Sequence, residues 1–170
     1  LLKRAAAMRL NAKRMYEDAC HKAGKTPETL SGPAAWVPAV GIKALVEQGR
    51  DAGILKRHQL WGDDVADLHD LILFGLKGVA AYADHARVLG YEDDTVYAEF
   101  HRILDLLAQD KQDSGVLLAT SLETGKLNLN VMALLDKANT TTYGHPVPTN
   151  VRVTPVKGRC ILISGHDLRD

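Results

Sequence analysis

The sequence predicts a mainly α-helical protein: a helical bundle over residues 1–144 that leads into the first strands of an α/β, Rossmann-like domain over residues 145–170. Three observations carry this. Between Asp64 and Leu89, apolar residues recur at three- and four-residue steps, the period of an amphipathic helix. Pro146 and Pro148, two residues apart, then bar any continuation of helix. Beyond them the pattern becomes alternating, and Cys160-Ile161-Leu162-Ile163 is a compact apolar run of the kind found in a strand covered on both faces.

Taken in order, residues Leu1 to about Ala23 read as one basic, Ala-rich helix ended by Gly24 and Pro27. Pro27, Gly32, Pro33 and Pro38 punctuate a stretch that cannot be continuous helix or central strand, and Trp36 pins it. A short helix from about Val40 to Gln48 stops near Gly49. The segment Asp64 to Leu89 follows, with Leu68, Leu71, Ile72, Gly75, Leu76, Val79, Tyr82, Ala83 and Ala86 on one apolar face and Asp63, Asp64 and Asp67 complementing the helix dipole at its start. Gly75 and Gly78 lower helix propensity by about 1 kcal/mol each relative to Ala, tolerable where another helix packs closely. Gly90 is the expected stop.

A further helix spans about Asp93 to Ala108, with Val96, Phe100, Ile103, Leu104 and Leu107 inward. Asp113 or Ser114 caps the next, Gly125 breaks it, and a last helix covers about Leu127 to Lys137. Short connections among these make antiparallel neighbours the expectation. After the prolines, Val151, Val153 and Val156 read as a half-exposed or edge strand.

Composition narrows the chemistry. Lys plus Arg and Asp plus Glu are both 21 in 170 residues, a formal net charge of zero, which removes the electrostatic case for nucleic acid or an acidic membrane. No apolar run is long enough to cross a bilayer, and Arg9 interrupts the apolar part of the opening segment too early for a signal peptide. Two cysteines, Cys20 and Cys160, stand far apart, which argues for a reducing compartment and no disulfide framework. The chain opens without Met and ends without a closing element, so it reads as a piece cut at both ends.

The residue with most functional promise is His166. An apolar strand ending at Ser164, a turn at Gly165 and a histidine beyond it place an imidazole at a strand's carboxyl end, where ligands gather in open α/β sheets. The alternative is a histidine in a polar loop with one backbone hydrogen bond. Other constellations are weaker. Asp18 and His21 have a carboxylate–histidine spacing but lack the second pair a di-iron bundle needs, and so read as a solvated helix end. Asp67, His69, Asp84 and His85 read as surface charges. Thr124-Gly125-Lys126-Leu127 lacks the second glycine and the hydroxyl residue of a phosphate loop.

Three stretches resemble the hybrid-cluster (prismane-type) family: Gly75 to Ala86, Met132 to Asp136 with Ala138 to Gly144, and Gly158 to Asp170. They stand in the family's order and cover residues from about 65 onward, while the first sixty match only loosely. The resemblance implies a cytoplasmic oxidoreductase of nitrogen metabolism and nitrosative stress that reduces hydroxylamine to ammonia, with nitric oxide as a proposed substrate. It implies a hybrid iron–sulfur–oxygen cluster and a second, 4Fe-4S or 2Fe-2S cluster, fed by a redox partner such as an NADH-dependent reductase. His166 matches the histidine of the Ser-Gly-His-Asp turn, a ligand of hybrid-cluster iron. The remaining ligands lie outside these residues, Cys20 and Cys160 match none of them, and neither cluster is completable by this chain alone. Two other readings stand beside it: a helical scaffold or interaction module without chemistry, and a relative of the carbon monoxide dehydrogenases.

Overall fold

The computed structural model describes residues 2–109 and 113–161. Seven helices follow one another among them: α1 (Leu2–Lys22), α2 (Gly32–Ala35), α3 (Ile42–Asp51), α4 (Ile54–Trp61), α5 (Asp63–Val88), α6 (Asp94–Leu107) and α7 (Ser114–Tyr143). Their ends follow local chemistry. After α1 and α5, the left-handed residues Gly24 and Gly90 let the chain double back. Lys25 N–H reaches the Cys20 carbonyl and Tyr91 N–H the Ala86 carbonyl, satisfying last-turn acceptors in the Schellman manner. At the other end, the Asp93 and Asp113 carboxylates accept from the Thr95 and Val116 N–H groups and cap α6 and α7.

The core lies between α5, α6 and α7. Ile72, Leu76 and Val79 of α5, Ile103 of α6, and Leu117 and Val131 of α7 are almost wholly removed from solvent. Each such side chain contributes roughly 1.5–3 kcal/mol on burial, so these positions fix the orientation of their helices. The His69 ring of α5 meets the Leu107 carbonyl at the end of α6, while Ala83 lines a cavity with Val96 near the start of α6; α5 and α6 are therefore antiparallel. Arg102 pairs with Glu123, and Val96 lines a cavity with Leu127, so α6 and α7 are antiparallel as well. It follows that α5 and α7 run parallel. Where they touch, a Cβ placed on Gly75 would lie 2.8 Å from Thr124 Cγ2, so the missing side chain is what permits the approach.

Several expectations need correcting. Gly125 does not break the helix: α7 is continuous for 30 residues. The penalty for one glycine, about 1 kcal/mol, is small beside the burial of Leu117, Leu127 and Val131 on one face of a single rod. Likewise α3 runs through Gly49 to Asp51. The stretch from Pro27 to Pro38 does contain one helical turn, α2, with Pro33 in its first turn, where it has no N–H to leave unpaired. Helix α4 escapes sequence reading because eight residues are too few to display a period. Leu68 and Phe100 are only half-buried, and Leu71, Tyr82 and Leu104, expected on the inward faces, are exposed.

The largest correction concerns the expected strands of an α/β domain. Among the described residues there is no strand. Residues 144–161 are irregular and exposed, with Val151, Val153 and Ile161 at 79%, 92% and 89% exposure. An alternating pattern becomes a strand only when another edge takes up its N–H and C=O groups, and the described residues bring no such edge beside it. Cys160, expected inside a strand, is exposed, and the expected strand residues Leu162 and Ile163 lie outside the described residues.

Candidate functional site

His166, with the Ser164-Gly165-His166-Asp167 turn, lies outside the described residues. The other sequence candidates are dispersed. Asp18, His21 and His145 are exposed, Asp84 is held by Arg87 at 2.8 Å within α5, and Gly125-Lys126 sits inside α7. Cys20 is half-buried and unpaired.

One correction falls on His69, expected as a surface charge: it is 6% exposed, and Asp70 beside it is 8% exposed. Helix α4 covers both. Arg57 Nη2 donates to Asp70 Oδ1 at 2.6 Å and Nη1 donates to the Ala52 carbonyl at 2.8 Å, while the Trp61 ring lies 5.0 Å from the His69 ring. His69 Nε2 is 3.1 Å from the Leu107 carbonyl. A carbonyl only accepts, so Nε2 carries the proton. Nδ1 faces Asp70 Oδ1 at 3.9 Å, beyond hydrogen-bond reach. A guanidinium, a carboxylate and an imidazole are thus spent in joining α4, α5 and the end of α6. Sequence reasoning missed this because helix periodicity places Asp70 on the flank of α5, away from its apolar face, and only α4 closes over it.

Nearby, His58 lies between two carboxylates, with Nδ1 2.8 Å from Asp63 and Nε2 3.4 Å from Asp67. The hydrogen bond to Asp63 raises its pKa above the ordinary histidine value; desolvation opposes this, and the charge of Asp67 adds to it. On the opposite side of the core, Arg102 bonds Glu99 and Glu123, which holds the guanidinium more firmly protonated and the Glu99 carboxyl below its usual range. Both groups are structural ties between neighbouring helices.

Comparison with known proteins identifies the lineage. Residues 4–170 match the model of the Prismane/CO dehydrogenase family. The chain belongs to that family. It is 48% identical over its whole length to a hydroxylamine reductase of Acidithiobacillus ferrooxidans, 47% identical over 98% of its length to one of Acidiphilium cryptum, and 46% identical over 99% to one of Rhodospirillum rubrum. The chain spans 30–31% of the length of these relatives.

An iron–sulfur cluster takes about four protein ligands, mostly cysteine. These 170 residues hold two cysteines, and among the described residues no three His, Cys, Asp or Glu side chains stand together as a metal site would require. These residues do not by themselves fit such a cluster. No helix among the described residues is long and apolar enough to cross a membrane.

Proposed function

We propose that these residues belong to an iron–sulfur oxidoreductase that reduces hydroxylamine to ammonia. The net reaction cleaves the N–O bond with two electrons and two protons and releases ammonia and water. The observation that carries the reading is 46–48% identity to proteins named hydroxylamine reductase across essentially the whole chain. It favours this branch of the family over carbon monoxide oxidation. Nitric oxide is a second substrate in this reading, electrons arrive from a redox partner such as an NADH-dependent reductase, and the enzyme is cytoplasmic.

Within that enzyme the division of labour is specific. Residues 1–144 form the helical domain, and α5–α7 supply a packed wall whose buried side chains hold their positions. Residues 145–170 begin the cluster-binding part of the enzyme, and His166 supplies one imidazole to the iron of a hybrid iron–sulfur–oxygen cluster. The other ligands, and those of a second 4Fe-4S or 2Fe-2S cluster, come from outside this segment. Bound there, the cluster would supply electrons and a Lewis-acidic iron. The imidazole would fix one iron and tune its potential through basicity and hydrogen bonding.

The test is His166→Ala in the full-length polypeptide, with His145→Ala as control. Hydroxylamine turnover should fall strongly and the hybrid-cluster spectrum should shift, while the second cluster and the helical content stay unchanged. Normal spectra and turnover in the His166 variant would remove the ligand assignment.

A further inference from the structure

The face of α7 turned away from the core is apolar. Leu118, Leu122, Leu129 and Met132 are 56%, 73%, 67% and 46% exposed, and with Gly125 they recur at steps of four, three, four and three residues. That is the spacing of a helix-packing seam, and no charge interrupts it. On the neighbouring helix, Leu71 and Phe74 of α5 are 60% and 54% exposed. Leu71 and Leu118 line one shallow cavity together with Asp64 and Asp67 at its rim, so the two exposed faces meet along the parallel α5–α7 pair. Gly78 of α5 and Gly125 of α7 have open space where a Cβ would stand, unlike Gly75. They leave room for a third backbone to approach.

We propose that this α5–α7 face is the seat of a helix contributed by the same polypeptide from outside these 170 residues. The proposal rests on the reading of the chain as part of a longer enzyme. The relatives extend well beyond the matched segment, which covers 30% of their length, so the covering element has a ready source in the same molecule. A four-turn groove from Leu118 to Met132, about 21 Å long at the helical rise, suits one helix of ordinary length. The occupant is an amphipathic helix whose apolar stripe carries one residue per three to four positions, with small residues opposite Gly78 and Gly125. The α7 seam itself carries no charge between Leu118 and Met132, while Asp64 and Asp67 border the face at the Leu118 end and Lys77 lies over the Phe74 ring, so the occupant is apolar along its middle with polar residues at its edges.

The experiment places a photoreactive benzoylphenylalanine at Leu122 or at Leu129 of the full-length polypeptide and maps the cross-linked peptide by mass spectrometry. The expected product joins α7 to a segment of the same molecule outside residues 1–170. A cross-link to a second copy, a cross-link to α1, or no cross-link at all would overturn the proposal. A second measurement is Leu129→Glu, which should lower the thermal midpoint of the full-length protein by several degrees; an unmoved midpoint would count against it. Both readouts report packing and not turnover, so they stand or fall separately from the assignment of hydroxylamine reduction.

Discussion

At the scale of single residues, two glycines on one helix have opposite roles. Gly75 sits against Thr124, whose hydroxyl donates to the Thr120 carbonyl at 2.8 Å and so fixes the methyl that a new Cβ would strike. Gly75→Ala should therefore destabilise the 170-residue chain by about 1–3 kcal/mol, the usual cost of overpacking, despite alanine's better helix propensity. Gly78 meets nothing, and Gly78→Ala should stabilise the same chain by about 1 kcal/mol. Urea denaturation of the two variants checks the sign of each. His58 offers a pH test. Its folded-state pKa is raised, so its contribution is fully present below the unfolded value of about 6.5 and is lost as pH rises through the folded value. Between pH 6 and 8 the thermal midpoint of the wild type should fall more than that of His58→Gln, and parallel curves would refute the clamp between Asp63 and Asp67.

At the scale of elements, capping and tertiary burial act together. Helix α6 is only 14 residues long, near the limit below which isolated helices are marginal, so its start matters. Thr95 donates twice to the Asp93 carboxylate, from its backbone N–H at 2.8 Å and its hydroxyl at 2.6 Å, which holds that carboxyl below its usual pKa range. Asp93→Ala should lower stability by removing this cap, measurable by chemical denaturation. A loss of the same sign should appear in the wild type as acid protonates Asp93, because a depressed pKa gives stability that is lost as pH falls through it. Helix α7 shows the converse balance, in which a long buried face overrides Gly125 in its middle. Reading Gly125 as a breaker made two helices of it, and the sequence offered no counterweight, because apolar residues surround the rod and no single face stands out.

At the scale of the whole molecule, stability is concentrated in α5–α7. No residue of α1, α2, α3 or α4 is buried, and residues 144–161 are exposed throughout. Local opening is easiest where few apolar contacts must be broken. Trypsin should therefore cut at Arg152, Lys157 and Arg159 well before Arg102 and Lys126 within the helices. A time course read by mass spectrometry that showed the helical sites cleaved first would contradict this distribution of stability.

By itself the sequence determined the helices at 2–22, 63–88 and 94–107 to within a few residues, together with their stops at Gly24 and Gly90, because amphipathic period, capping residues and left-handed glycines act locally. It also carried the family resemblance, in stretches long enough to be specific. Only the tertiary structure decided that α7 passes through Gly125, that α4 exists, and that Arg57 buries Asp70 beside His69, since each depends on surface supplied by a segment distant in the chain. The expected strands at 151–163 mark the same boundary from the other side. Their alternation is legible in the residues, but a strand is completed by the hydrogen bonds of a neighbour, and the described residues supply none beside 144–161.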